Sequence, residues 1–218
     1  MYILLILLAF ILLSLSFLES DSNSIEHSYL FEIRLATIKA FIGVAFFSYI
    51  ICEILSLFNL FSFNYVLISW ILINGLIIFL DKEKIKLNMF SIFSQEIIIP
   101  KKEKNILFFI FFLIILTLLL LAIFIAPNNW DSMAYHLPRV EHWIQNKNIY
   151  PYPTNIVRQL LTSPLSEYII ANFQILASTD SFSNLVQFAS FIFILFSATL
   201  FFSILKIGMK GQLFLLLA

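Results

Sequence analysis

Residues 106–126 read ILFFIFFLIILTLLLLAIFIA, an apolar run that only Thr117 interrupts. A helix needs about 20 mainly apolar residues to cross the roughly 30 Å of hydrocarbon in a bilayer. This run is long enough, and it contains no charged side chain that lipid would have to accommodate. It therefore predicts a transmembrane helix and a fold that is built in a membrane.

The composition of the whole chain agrees with that prediction. Hydrophobic residues make up 61% of the 218 residues and charged residues 12%, and the mean hydropathy is +0.97. Ordinary soluble domains are about 45–50% apolar and about 25% charged. The 26 phenylalanines and only four glycines favour helices over a barrel of alternating, turn-rich strands. We predict an all-α, polytopic transmembrane helical bundle.

Charge and cysteine content exclude two further classes of function and structure. Thirteen basic and thirteen acidic residues leave no formal net charge, so nothing indicates a nucleic-acid partner. Cys52 is the single cysteine of the chain, which excludes an internal disulfide.

Five segments are long and apolar enough to be predicted as spans, and the third is the shortest: residues 1–18, 36–58, 64–80, 106–126 and 184–205. The first segment could instead be a signal peptide, but it lacks a basic start and a clear small-residue cleavage site. The final residues, GQLFLLLA, begin a sixth apolar run. We therefore expect the N-terminal part of a longer protein, or a truncated copy of one.

The distribution of lysines predicts the orientation of these spans. Six of them flank an apolar middle between the third and fourth spans: Lys82, Lys84, Lys86, Lys101, Lys102 and Lys104. Basic loops stay in the cytoplasm, which places residues 127–183 in the periplasm or outside the cell. We expect two parts, residues 1–105 with the basic loop and residues 106–218 with the external loop, in the inner membrane of a bacterium.

The external loop opens with APNNWDSMAYHLPRVEHWIQ, residues 126–145, a polar cluster in an otherwise apolar chain. Asn128 or Asn129 can cap a helix there, which puts Asp131 in its first turn, at the positive end of the helix dipole. Pro138 is expected to kink or break this helix.

Helical spacing predicts which side chains of this cluster share a face. Asp131, Tyr135 and His142 fall on or near one face, whereas His136 and Arg139 fall on a neighbouring face.

Residues 156–176, IVRQLLTSPLSEYIIANFQIL, have the spacing of amphipathic helices. Ser163 before Pro164 predicts a helix start, with Glu167 in the first turn. We predict two short helices that lie on the membrane surface.

The order of these parts resembles a known family over about residues 106–205. A "D…YH" helix after an outward span, an aromatic stretch and SPLSEYIIANFQIL before the next span are similar to the first external loop of GT-C fold glycosyltransferases. The most similar group is that of the protein mannosyltransferases and aminoarabinose transferases, which take a sugar from a polyprenyl phosphate. Many members have two adjacent acids where this chain has Trp130 and Asp131, and their loop usually follows the first span rather than the fourth.

The resemblance implies an inverting transferase that uses a polyprenyl phosphate-linked sugar and a glycan, lipid or protein acceptor. Asp131 would be the catalytic base, because transfer needs a proton acceptor near the acceptor hydroxyl. Arg139 or Arg158 would hold the phosphate through paired N–H donors. The other predicted substrate-binding residues are Tyr135, His136, His142 and Glu167. The resemblance assigns no definite cofactor, and a divalent metal ion is an open alternative, although the two histidines lack the usual helical metal-site spacing.

Other interpretations of the same residues stay open. Asp131 could serve only as a first-turn acid, and the two arginines as anchors to lipid headgroups. A transporter would instead use Glu53 and Lys39 within a span. A hydrolase would need a second acid at about 5–10 Å from the first.

The predicted orientation can be tested by thiol labelling in intact cells. We expect a single cysteine at Ser163 to react with an impermeant reagent, and one at Ser94 to react only after permeabilisation, in a Cys52→Ala background. The opposite labelling pattern would invert the topology.

Overall fold

The computed structural model describes residues 2–19, 29–94, 105–208 and 211–212, and within them it is helical without any strand. The helices are α1 (Leu4–Phe17), α2 (Tyr29–Leu57), α3 (Phe63–Ser94), α4 (Asn105–Phe124), α5 (Leu137–Asn146), α6 (Arg158–Leu161), α7 (Leu165–Ala177) and α8 (Asn184–Ile204), with a π-helical turn at Ser132–His136. The predicted all-α class is confirmed.

Three helical segments among the described residues are long and apolar enough to cross a membrane: Tyr29–Leu57, Phe63–Ile92 and Asn184–Ile204. Together they indicate an integral membrane protein. The spans predicted at residues 1–18 and 106–126 correspond to shorter apolar helices, Leu4–Phe17 and Phe109–Phe124. Whether these two also cross the membrane stays a prediction.

Helix α3 is longer than the span predicted for it. It bends at Asp81, whose backbone is non-helical (φ −119°, ψ 19°), and then continues to Ser94. Leucine, lysine and glutamate in this second part are good helix formers, so the first half of the expected cytoplasmic loop is helical. The rest of that loop, residues 95–104, lies outside the described residues.

Helices α1 and α2 approach each other closely because the facing side chains are small. The buried residues of α2 include a series at four-residue spacing, together with Ile51: Ala36, Ala40, Val44, Ser48, Cys52 and Ser56. The last two of the series lie against α7 and the loop after α5, with Cys52 Sγ 3.7 Å from the Tyr168 carbonyl and the Ile149 N–H donating to Ser56 Oγ at 3.1 Å. At Gly43 an added Cβ would lie 2.9 Å from a methyl carbon of Leu13 in α1. Small residues at such an interface allow dense packing of helices in lipid.

Polar side chains of α3 bond to the backbone of α1. The Asn74 amide donates to the Leu5 carbonyl at 3.0 Å. The Asn88 amide donates to the carbonyls of Leu15 and Leu18, both at 2.7 Å. Asn88 therefore donates to carbonyls at the end of α1 that have no partner within the helix.

The long loop between α4 and α8 lies at the end of the bundle where α2 turns into α3. The Phe61 N–H donates to the Lys147 carbonyl at 3.1 Å, and the Asn148 amide donates to Asn59 Oδ1 at 2.7 Å. Lys82, Lys84 and Lys86 follow the Asp81 bend, in the second half of α3. The long loop therefore contacts the end of α3 that lies away from these lysines, and the side of the membrane on which each region lies stays a prediction.

The two helices predicted on the membrane surface differ in burial. Helix α6 is a single turn in which Gln159 is buried and the other three residues are exposed, with Leu161 at 79%. Helix α7 instead packs against α2, α3 and α5. Trp70 of α3 donates to Asn172 Oδ1 at 2.9 Å, and the Asn172 amide donates to the Tyr168 carbonyl at 2.8 Å. This contact fixes α7 within the bundle.

Replacing Trp70 by Phe should destabilise the fold. The change leaves the buried oxygen of Asn172 without its donor, a loss that costs about 1–3 kcal/mol. Thermal unfolding in detergent micelles would measure it. The same change at Trp130, which is 82% exposed, is the matched control and should leave the melting temperature nearly unchanged. Equal shifts for both variants would contradict the role given to Trp70.

Candidate functional site

The helix that carries the polar cluster begins with an asparagine cap. Asn129 Oδ1 accepts a hydrogen bond from the Ser132 N–H at 2.8 Å, and the Asn129 carbonyl accepts from the Met133 N–H at 3.1 Å. Asp131 therefore lies in the first helical turn, as predicted, where its carboxylate meets the positive end of the helix.

The kink expected at Pro138 takes the form of a π-helical turn. The Leu137 N–H bonds to the Ser132 carbonyl, five residues back. Because Pro138 has no N–H, the Ala134 carbonyl loses its α-helical donor. The amide of Gln159 supplies the replacement, donating to that carbonyl at 3.0 Å. Such π turns are rare and often mark functional sites.

A buried ion pair joins α5 to α7. Arg139 is 2% exposed and Glu167 is fully buried, and the distance from Nη1 to Oε1 is 3.1 Å. His136 Nδ1 lies 2.8 Å from the same oxygen, and the Ser166 hydroxyl donates to the other carboxylate oxygen at 2.7 Å. Since a carboxylate only accepts, Nδ1 carries a hydrogen, and the Nε2 atom of a neutral imidazole is left as an acceptor.

The same arginine holds the one-turn helix α6 in place. Its Nε donates to the Gln159 carbonyl, its Nη1 to the Thr162 carbonyl at 3.1 Å, and its Nη2 to the Arg158 carbonyl at 3.5 Å. A single turn is too short to be stable by itself. Arg139 therefore positions α6, and with it Arg158, while its own donors are occupied within the protein.

Gln159 is a central residue that the sequence did not reveal. It is 5% exposed, and its Oε1 accepts hydrogen bonds from the Tyr152 hydroxyl at 3.0 Å and from Thr154 Oγ1 at 2.9 Å. Four helical residues are too few to show a buried periodicity, so no pattern distinguishes this glutamine from its exposed neighbours.

Asp131 and Arg158 face each other at the surface. Asp131 Oδ1 lies 3.9 Å from Arg158 Nη1, and the two side chains are 59% and 70% exposed. The guanidinium carbon of Arg158 lies 6.0 Å from the Tyr135 ring centre, and that ring lies 4.2 Å from the His136 ring. Six of the seven predicted site residues therefore form one chain of contacts: Asp131, Arg158, Tyr135, His136, Glu167 and Arg139.

His142 lies outside this chain. Its ring stacks on Tyr152 at 4.0 Å with an interplanar angle of 28°, and the residue is exposed. His142 is connected to the site only indirectly, because the hydroxyl of the Tyr152 ring on which it stacks donates to Gln159.

Three tyrosines near the site have a pKa above the ordinary value. Burial raises the pKa of Tyr168, and the Glu53 carboxylate, which accepts its hydroxyl hydrogen at 2.9 Å, raises it further. Burial raises the pKa of Tyr152 against the opposing charge of Arg139. Desolvation and the Asp131 carboxylate raise the pKa of Tyr135 against Arg158.

Exposed apolar side chains adjoin the surface pair along the chain. They are Trp130 at 82%, Met133 at 59%, Val157 at 60% and Leu161 at 79% exposure. Arg139 and Gln159 also line a cleft of about 140 Å³, together with Trp143, Tyr150 and Leu160. Among the described residues no group of three or more His, Cys, Asp or Glu side chains is placed to hold a metal ion. The alternative of a divalent metal ion therefore gains no support from these residues.

Comparison of the chain with protein-family models, curated proteins and solved structures gives no match. A functional assignment therefore depends on the residues of this site.

Replacing Glu167 by Gln should destabilise the protein strongly. The variant leaves the buried Arg139 without a counter-charge, and breaking a buried pair costs about 3–5 kcal/mol. Thermal unfolding in micelles measures the loss, with the exposed Glu141→Gln as the matched control.

The double variant Arg139→Met with Glu167→Leu separates charge from packing. The double variant also loses the Arg139 hydrogen bonds to α6, so it is compared with its own single variants. It should lose less stability than Arg139→Met and Glu167→Leu lose in sum, because neither ion is left unpaired. Additive losses would show that the pair does not act as a unit.

Proposed function

We propose that this protein is a membrane glycosyltransferase that transfers a sugar from a polyprenyl phosphate to a glycan, lipid or protein hydroxyl. The reaction would take place at the external face of a bacterial inner membrane. The observation that carries the proposal is the exposed pair of Asp131 and Arg158 beside apolar side chains, with a buried network behind it. The proposal also draws on the resemblance of residues 106–205 to GT-C fold enzymes.

Arg158 is the residue proposed to hold the donor phosphate. Its guanidinium is 70% exposed, whereas that of Arg139 is buried against Glu167. An arginine fork can give a phosphate two parallel hydrogen bonds. Arg139 has a positioning role, because it binds the carbonyls of the turn that carries Arg158.

Asp131 is the residue proposed to accept the acceptor's proton. The acceptor oxygen bonds to the anomeric carbon, the bond from that carbon to the phosphate oxygen breaks, and the hydroxyl proton passes to the carboxylate. The phosphate is a stable anion and a good leaving group. A nearby cation therefore assists its departure more than protonation by an acid would. One carboxylate and one arginine supply both needs, and a single displacement inverts the anomeric centre.

The surroundings of the pair suit a lipid-linked phosphate better than a free one. Trp130 precedes Asp131, Val157 precedes Arg158, and both apolar side chains are largely exposed. Exposed apolar groups next to a charged pair are typical of proteins that contact lipid tails and headgroups together.

The rival interpretation, a transporter that uses Glu53, receives less support. The Tyr168 hydroxyl donates to Glu53 Oε1 at 2.9 Å, so this carboxylate is engaged in a contact between α2 and α7. Such a contact is the ordinary role of a polar residue between packed helices.

Replacing Asp131 by Asn should lower turnover by about 10²–10⁴-fold, the usual contribution of a positioned base. Asparagine keeps the size of the side chain, so folding should change little. The assay would use membranes containing the native protein, labelled polyprenyl phosphate sugars and mixed acceptors, with Glu141→Gln as the control of equal charge change. Full activity of Asp131→Asn at matched expression would remove Asp131 from the chemistry.

Replacing Arg158 by Lys should weaken donor binding by about ten- to a hundredfold, since lysine keeps the charge but loses one charged hydrogen bond. The donor KM measures this, and the acceptor KM serves as the internal control. An unchanged donor KM would contradict the phosphate role of Arg158.

A further inference from the structure

The surface pair has a consequence for how the donor would bind. Asp131 and Arg158 face each other at 3.9 Å. The other arginine of the site, Arg139, is committed to Glu167 at 3.1 Å and to three carbonyl oxygens. Arg158 is therefore the exposed cation of this contact chain, and Asp131 is the anion placed against it.

A phosphate and Asp131 would compete for this one guanidinium. Both partners of the pair are more than half exposed, and ion pairs of this kind are weak because water and salt screen them. The donor phosphate is a diester with one negative charge, as a carboxylate has, but its two free oxygens can make two parallel hydrogen bonds with the arginine fork, whereas Asp131 makes a single contact at 3.9 Å. The phosphate can therefore displace Asp131 from Arg158.

We propose that Asp131 and Arg158 form a donor-released pair, an inference that rests on the proposed function. Asp131 occupies the guanidinium until the lipid phosphate takes its place. The carboxylate that has lost its cation then accepts a hydrogen bond, and afterwards the proton, from the acceptor hydroxyl. Because the pair is weak, donor binding increases the share of protein in which the base is free, and it does so when a sugar is in place to be transferred. This favours binding of the donor before the acceptor.

The tethering of both residues makes this exchange local. Arg158 is carried by a turn that Arg139 and Gln159 fix from behind, and Asp131 lies in a helical turn that Asn129 caps. Only the two exposed side chains need to move, so the exchange requires no rearrangement of the helices.

The pair predicts opposite effects of Asp131→Asn on turnover and on donor affinity. Removing the competing carboxylate should tighten the binding of polyprenyl monophosphate, the product that keeps the donor's lipid and phosphate, by about two- to fivefold, the size expected for an exposed ion pair. Binding would be measured on the native protein in nanodiscs, with labelled polyprenyl monophosphate as the probe. Polyprenol without phosphate and inorganic phosphate alone distinguish contributions of the lipid tail from those of the anion.

Two controls make the result specific. Glu141→Gln removes the same charge from the exposed side of α5 and should leave the affinity unchanged. In an Arg158→Gln background, Asp131→Asn should leave the affinity unchanged, because no Arg158 cation is left to be released. Thermal unfolding of each variant verifies that the fold is kept.

The outcomes separate the two proposals. Phosphate-dependent binding that Asp131→Asn leaves unchanged or weakens would overturn the donor-released pair alone. Equal binding of polyprenol and polyprenyl monophosphate to the unaltered protein would overturn the phosphate site of the proposed function, and the released pair with it.

Discussion

The organisation of the loop between α4 and α8 depends on one buried ion pair, Arg139 with Glu167. A charge taken out of water is costly unless it is paired and its remaining hydrogen-bonding groups are satisfied. Here the carboxylate also contacts His136 and Ser166, and the guanidinium also binds three carbonyls. The need to satisfy both ions therefore brings α5, α6 and α7 together and leaves Arg158 on the outer side of that contact.

The helical class of the fold followed from apolar runs, because a bilayer permits few other ways to satisfy the backbone. Two features were beyond such reasoning. Charged residues after Asp81 looked like a loop, but they continue α3 as a helix. The apolar spacing of α7 indicated a surface helix, yet residues 171–176 are all buried. Single-face periodicity underestimates burial when neighbouring helices cover a helix on several sides.

The composition of the site was largely predictable, whereas the roles of its arginines were not. Polar residues are rare in this chain, so a cluster of them indicates either a functional site or a structural network of hydrogen bonds. Arg139 and Arg158 look alike in sequence, since each lies in an amphipathic segment. Only the fold separates them, with one guanidinium buried against Glu167 and the other exposed beside Asp131. Gln159 is needed because Pro138 has no N–H. The Ala134 carbonyl, left without its helical donor, accepts a hydrogen bond from the Gln159 amide across the loop.

The π turn explains which residues share the face of Asp131. In a regular α-helix His136 lies about 140° around the axis from Asp131, and His142 lies within about 20° of it. A π turn takes up one extra residue, so later side chains rotate back by about 100°. His136 and Arg139 then move toward the side of Asp131, and His142 moves away from it. The π turn thus accounts both for the contact of His136 and Arg139 with Glu167 and for the stacking of His142 on Tyr152 at the flank.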